Sequence, residues 1–396
     1  MSPGPPFEVL RVFLRLGLTS FGGPIAHLGY FHQEFVVRRR WLDEKSFADL
    51  LALCQFLPGP ASSQTGFALG IRRAGGFGGL AAWLGFTLPS AIAMVLFAYG
   101  ARALQGRYGI GLQHGLKLVA VAIVAQAVWG MARALCPDRQ RATIAVGAAA
   151  IVLASFSSFN QLAVILLGAV AGLLFCRGDE ARSAPATSFG ISRRAGVACL
   201  ILFALLLLIP PLFVRDASPR HFALFNAFYR SGALVFGGGH VVLPLLRSTV
   251  VTPGWVSDDA FLAGYGAAQA VPGPLFTFAA YLGAVAAPIR GIAGACIALL
   301  AIFLPGMLIL IGVLPFWDAL RRKTWAQAGM RGINAAVVGL LAAALFDPVW
   351  TTAAKGHADF AVALACFVLL TSWHVPPLAV VLLGGLSGIV RAALAE

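Results

Sequence analysis

Near its start the chain reads Arg15-x-Gly17-x-x-x-Phe21-Gly22-Gly23, and 215 positions later it reads Arg230-x-Gly232-x-x-x-Phe236-Gly237-Gly238. The recurrence continues at almost constant offset. Trp41 matches Trp255, Gln55-x-x-Pro58-Gly59-Pro60 matches Gln269-x-x-Pro272-Gly273-Pro274, Pro89 matches Pro305, and Gly115-x-Lys117 matches Gly329-x-Arg331. A chain that repeats itself over each half folds as two copies of one unit, so the duplication constrains the architecture before any single motif does.

The repeated unit belongs in a lipid bilayer. Hydrophobic residues make up 59% of the 396 positions and charged residues only 11%, with a mean hydropathy of +0.86; that leaves too little polar surface for a water-soluble globule. The stretches Phe77 to Gly100 and Val197 to Val214 are of spanning length and carry no charge. Glu8, Arg11 and Arg15 interrupt what would be the apolar region of a cleavable signal peptide. The net charge of +14 is that of basic loops facing anionic lipid, such as Arg38 to Arg40, Arg72-Arg73 and Arg193-Arg194, and indicates no nucleic-acid partner. The six cysteines form no CxxC pair, so neither a disulfide framework nor a metal site is expected, and no cofactor.

Hydropathy divides the chain into an N-terminal repeat (1–176), a polar loop with a connecting membrane helix (177–220) and a C-terminal repeat (221–396). The expected fold is an all-α polytopic membrane protein of about 12–13 transmembrane or re-entrant helices. Spans are expected near 8–30, 46–70, 77–100, 112–133, 142–156 and 160–176, and near 222–246, 258–285, 291–315, 328–346, 358–372 and 376–392. The extra span from Gly196 to Val214 makes the number of crossings before the second repeat odd, which turns that repeat upside down. Inverted repeats are a common build of secondary transporters, with the substrate site at the bilayer midplane. Lysine and arginine divide nearly evenly between the two sets of loops under this span count, with a slight preference for the N-terminus inside.

Two helix breaks recur in both halves: Gly22-Gly23-Pro24 with Gly237-Gly238, and Pro58-Gly59-Pro60 with Pro272-Gly273-Pro274. Proline removes a helical hydrogen bond and glycine tolerates unusual dihedrals, so the helices stop there. Within a bilayer such a break survives only where it is buried in protein or lines a cavity, and the half-helix that follows offers free N–H groups to an anion. A single motif of this kind reads as a simple kink; two kinds at matched positions in both repeats point to a site. Candidate substrate contacts are Gln55, Ser62, Ser63 and Gln64 in the first repeat and Gln269 and Thr277 in the second. Arg15 and Arg230, one to two turns before the Gly-Gly breaks, would approach an anion from opposite sides. Lys117 and Arg331 form a second matched basic pair. No carboxylate is placed mid-membrane as a proton relay, which favours an anionic substrate; His27, His240 and Glu34 are the groups left for proton coupling. The chain has no GxxxxGK[ST] and no HExxH, and so neither an ATP-driven pump nor a zinc hydrolase is indicated. A channel-like anion conductance stays open.

The run Phe21-Gly22-Gly23-Pro24-x-x-His27, then Arg38-Arg39-Arg40-Trp41-Leu42 and Gln55-Phe56-Leu57-Pro58-Gly59-Pro60, resembles the chromate ion transporter family, and the second-half FGGGH and Gln269-x-x-Pro272-Gly273-Pro274 look like that family's second domain. The resemblance covers nearly the whole chain and is to the long, two-domain form. It implies efflux of chromate across the bacterial inner membrane, with chromate resistance as the result. Sulfate or another oxyanion is the alternative substrate, and pairing into a homodimer is left open.

Overall fold

The structure is a computed structural model that describes residues 4–21, 23–103, 106–154, 160–176, 189–213, 219–236, 241–287, 289–320 and 323–394. The first repeat comprises α1 (Pro6–Thr19), α2 (Gly23–Phe31), which widens into a π-turn over His32–Arg38, α3 (Glu44–Phe56), α4 (Ala61–Ala103), α5 (Arg107–Leu135), α6 (Arg139–Ala154) and α7 (Asn160–Phe175). α8 (Arg193–Leu208) and the single turn α9 (Pro210–Phe213) connect it to the second repeat. There the order is α10 (Arg220–Ala233), α11 (Val242–Leu246) with its own widened turn at Arg247–Val251, α12 (Asp258–Ala268), α13 (Phe278–Val285), α14 (Ile292–Val313), α15 (Trp317–Leu320), α16 (Thr324–Ala344), α17 (Thr351–Ala353), α18 (His357–Thr371) and α19 (Pro377–Leu394).

The segments near 8–30, 46–70, 222–246 and 258–285 do not cross the bilayer as expected; each folds as a hairpin. Phe13 of α1 stacks on Phe35 beyond α2, with ring centres 5.0 Å apart, and Arg39 meets Glu8 at 3.6 Å, so the chain comes back to where α1 began. α3 returns through the first arm of α4, whose last arginine, Arg73, lies 5.4 Å over the Trp41 ring and pairs with Glu8 at 2.8 Å. In the second repeat Ser231 and Thr249 join the arms of one hairpin at 3.1 Å. In the other, the Tyr281 hydroxyl donates to the Ala260 carbonyl at 2.9 Å and the Ala287 N–H to the Trp255 carbonyl at 3.0 Å. Hydropathy cannot see direction. An arm such as α1, with 14 residues, reaches about 21 Å, too short for a core of about 30 Å, and the Gly/Pro breaks are the tips where the chain reverses.

A second reversal follows each re-entrant hairpin. Within α4, Ala74 (φ −144°, ψ 28°) and Gly75 (φ 64°) leave the helical region, and the arms 61–73 and 76–103 fold against each other so closely that a Cβ on Gly70 would lie 2.3 Å from the Gly78 carbonyl oxygen. Gly283 and Gly294 make the equivalent approach between α13 and α14. Five stretches among the described residues are long and apolar enough to cross a membrane: Ala61–Gly100, of which the second α4 arm is the crossing part, Tyr108–Leu135, Ile292–Phe316, Thr324–Ala353 and Pro377–Leu394.

The second arm of α4 and α14 are equivalent helices, and they run in opposite directions. Tyr99, near the far end of α4, lies beside Gly291 at the start of α14. Phe97 contacts Tyr281 at 5.6 Å, and midway Trp83 meets Phe303 at 5.8 Å. The repeats are therefore inverted. The expected inversion survives the corrected span count, because a hairpin that starts and ends at the same face contributes no crossing. α1 packs on α4 through Gly17 against the Gly85 backbone, as α10 packs on α14 through Gly232 against that of Ile302, which explains the repeated Arg-x-Gly spacing. The six cysteines are unbonded.

Candidate functional site at the hairpin tips

The two proline-flanked tips each meet the end of a helix from the opposite repeat. The Gly59 N–H donates to the Val235 carbonyl at 2.7 Å, and the Gly273 N–H donates to the Ser20 carbonyl at 2.9 Å. Val235 is the repeat equivalent of Ser20, and Gly273 of Gly59, so each proline-flanked tip is bonded to the end of the other repeat's first helix. Only glycine suits these two positions. Their φ angles are +118° and +101°, and a Cβ would lie 3.0 Å from Gly306 Cα in the first and 2.8 Å from Ser90 Oγ in the second. Ser90 and Gly306 are themselves equivalent, each following the shared helix proline, Pro89 or Pro305.

Polar groups gather at these tips without partners. Gln64 is buried and its Nε2 donates to the carbonyls of Pro58 and Gly306, both at 2.9 Å, tying the first tip to α14. Among the described residues its Oε1 has no partner, and neither do Ser20 Oγ, Ser63 Oγ, His27 Nδ1, Gln269 Nε2 or, on the adjoining turn of α4, Thr87 Oγ1. His27 Nε2 lies 3.2 Å from the Ser20 carbonyl. Buried polar atoms in folded proteins are nearly always satisfied, and a cluster that is not marks the place of a ligand or ordered water. Thr277, the equivalent of Ser63, spends its hydroxyl on the Pro274 carbonyl at 2.8 Å, and Ser62 is buried where the second repeat has Phe276. The first repeat thus supplies more of the free polar groups.

Other expected site residues lie elsewhere. Arg15 is exposed on the outer face of α1 and lines a surface cavity of about 510 Å³ with Glu8, Arg11, Arg38 and Arg39; it does not reach the tips. Arg230 is half-buried one turn before its tip and forms no ion pair among the described residues. Glu34 is held at the base of its hairpin by Arg39 Nε at 2.6 Å and Arg38 Nη1 at 3.1 Å, away from the tips. Gly22, Gly237, Gly238 and His240 lie outside the described residues. Gly23 has φ +78° and Pro24 follows it in the first turn of α2, while Pro58, Pro60, Pro272 and Pro274 flank the two central glycines.

The two repeats differ in how their α3-type helix is covered. α12 is buried from Phe261 to Ala268 and packs on α5, where a Cβ on Gly266 would lie 2.5 Å from the Leu116 carbonyl oxygen. Lys117, 6% exposed, closes that contact by donating to Asp259 at 2.7 Å. α3 has no such packing with α16 among the described residues, and Gln55, the equivalent of the half-buried Gln269, is exposed. Arg331, the equivalent of Lys117, donates instead to the Cys176 carbonyl at 3.1 Å. Lys117 was legible as half of a repeated pair; its partner Asp259 and the roles of Ser20 and Thr87 were not.

Inverted hairpins built around buried polar groups, set among helices long and apolar enough to cross a membrane, have the architecture of a membrane transporter. The chain belongs to the chromate transporter family, whose profile matches residues 7–173 and 222–389, one match per repeat. It is 30% identical over 393 residues to the chromate transport protein of Pseudomonas aeruginosa, covering 96% of this chain and 91% of that one. It is 27% identical to a probable chromate transport protein of Synechococcus elongatus (85% and 83% covered) and 25% identical to the chromate transport protein of Cupriavidus metallidurans (85% and 81%). No solved structure matches the chain.

Proposed function

We propose that the protein is a secondary carrier that exports chromate, a tetrahedral dianion, across the bacterial inner membrane, and that it binds the ion at the tips. The observation that carries this reading is the group of buried donors, Ser20 Oγ, Ser63 Oγ and Gln269 Nε2, that have no partner among the described residues, beside the cross-bonded tips of opposite hairpins. Hydroxyls and an amide N–H donate to an oxyanion that accepts hydrogen bonds on every side. Sulfate shares that shape and charge and is the alternative substrate. A carrier is favoured over a channel because one of two equivalent crevices is sealed while the other is not.

Orientation follows from charge. Arg38, Arg39, Arg40, Lys45, Arg72, Arg73, Arg133, Arg139, Arg141, Arg193, Arg194 and Lys323 belong to the face where α1 begins, against Arg102, Arg107, Arg220, Arg247, Arg290, Lys355 and Arg391 on the other. The slight preference expected from the sequence becomes an excess once the hairpins are re-entrant, which supports a cytoplasmic N-terminal face. The unsealed crevice beside α3 then opens inward, ready to load from the cell. With the interior negative, moving a dianion outward gains about 4.6 kcal/mol per 100 mV. Chromate uptake into inside-out vesicles under an imposed potential, with the pH gradient collapsed, tests this: accumulation that follows the potential is expected, and uptake that ignores it and needs a pH gradient refutes the driving force.

A further inference from the structure

The sealed and unsealed crevices carry opposite charge logic at equivalent positions. The helix registers are fixed by their caps: Asp43 accepts from the Ser46 N–H at 2.9 Å, and its equivalent Ser257 accepts from the Ala260 N–H at 3.2 Å. Asp259 therefore corresponds to Lys45, and Lys117 to Arg331. On the sealed face a cation meets an anion, Lys117 on Asp259. On the other face the same geometry would bring Arg331 against Lys45, two cations. The neighbouring carboxylates do not offset this, because they are engaged alike in both repeats: Glu44 with His32 at 2.8 Å, and Asp258 with Arg247 at 2.8 Å. Lys45 is exposed and has no ion pair among the described residues.

α3 itself shows what fills the gap. Its uncovered stripe ends at Gln55, exposed just before the tip, and an amide at that depth is costly in hydrocarbon but not in water. Among the described residues the stripe does not pack on α16, and the one carboxylate further along α3, Asp49, is buried and accepts from Trp317 Nε1 at 3.2 Å; basic groups at such an opening attract anions.

We propose that Lys45 and Arg331 form a binding subsite for a tetrahedral dianion at the mouth of the α3–α16 crevice, and that the crevice closes only when a dianion stands between them. This rests on the transport reading above and adds its gate. Two unit positive charges and one dianion sum to zero, so the loaded mouth closes as the Lys117–Asp259 face does, whereas the empty mouth is held open by like charges. A carrier so built does not close inwardly empty, which ties its turnover to cargo.

The test is the rate at which Gln55→Cys reacts with a charged, membrane-impermeant thiol reagent in open membranes, in full-length protein whose native cysteines are replaced, with no oxyanion present. The parent reacts readily. Lys45→Asp recreates the opposite-charge pair with Arg331 and slows labelling by about twofold to fivefold; the double variant Lys45→Asp/Arg331→Glu restores like charge and the parent rate, which also shows that the single variant had not simply misfolded. An unchanged rate in Lys45→Asp, or a double variant that stays slow, overturns the gate. The dianion subsite is read separately from chromate uptake: Lys45→Gln and Arg331→Gln each raise the apparent KM several-fold with kcat/KM falling in step, and an unchanged KM in both overturns the subsite. Labelling without oxyanion does not depend on what is carried, so failure of the gate and failure of the transport reading are distinguishable.

Discussion

Replacing Gly273 with alanine perturbs the junction of the tips at one atom. The added Cβ would lie 2.8 Å from Ser90 Oγ and 3.0 Å from the Phe86 carbonyl oxygen. The serine can rotate away, but the backbone carbonyl cannot. The residue also has φ +101°, which costs a non-glycine residue about 1–2 kcal/mol. If the tip backs away from Phe86, the bond from its N–H to Ser20 is stretched or lost, about 1 kcal/mol more. The sum is about 3 kcal/mol, roughly a hundredfold in an equilibrium. Gly254→Ala is the matched control: its φ is +75° and a Cβ there meets nothing within 4 Å, so it bears the backbone term alone. Thermal inactivation and chromate uptake, measured at equal membrane abundance, separate the two. Gly273→Ala should inactivate at clearly lower temperature than Gly254→Ala and lose most uptake, and Gly59→Ala should behave like it. Equal stability and uptake in Gly273→Ala and Gly254→Ala would refute the idea that the tips must touch across the repeats.

Ser63→Ala removes a buried hydroxyl that has no partner, so stability should hold or rise slightly while the apparent KM for chromate rises about tenfold; a stability loss with unchanged KM would make Ser63 a packing residue. Gln64→Leu leaves the Pro58 and Gly306 carbonyls unpaired and should cost about 1–3 kcal/mol of stability, read from thermal inactivation. Asp359 is buried and holds His114 and the N–H of Lys355 at 2.9 and 2.8 Å, together with Arg391; Asp359→Ala leaves His114 and that N–H unpaired and should destabilise by about 1–3 kcal/mol, with residual uptake keeping its KM. Tags inserted after Arg40 and at Gly254 should label from opposite faces of the membrane, and labelling from one face would mean that the repeats are parallel.

The duplication, the helix breaks and the inversion of the repeats were all legible in the residues, because repeated glycines and prolines leave marks that no side-chain packing can hide. The course of the chain at each break was not. An apolar segment such as 46–70 has the hydropathy of a span whether it continues or turns back, and the turn is decided by contacts such as Arg73 on Trp41 between residues that hydropathy does not pair. The outward position of Arg15 could have been read from helical periodicity. Val9, Val12, Phe13 and Leu16 are the buried face of α1, and Arg11 and Arg15 lie on the opposite side. The repeat argued for a shared role with Arg230, but the two positions share the packing of the glycine two residues later instead. The cross-bonds of Gly59 and Gly273 join positions more than 170 residues apart, and no local pattern announces such a contact. The Asp259-to-Lys45 exchange was visible in the alignment of the halves, yet it acquires meaning only once α12 is seen sealed against α5.

Counterflow in proteoliposomes of the purified protein puts the carrier reading to the test: labelled chromate outside, unlabelled chromate or none inside, with the membrane potential clamped at zero. A site at the tips that faces one side at a time requires saturable uptake that preloading with chromate accelerates, and that Ser63→Ala shifts to higher concentration. Uptake that rises linearly with chromate and is indifferent to what the vesicles contain would show an open conductance, and the alternating site would have to be abandoned.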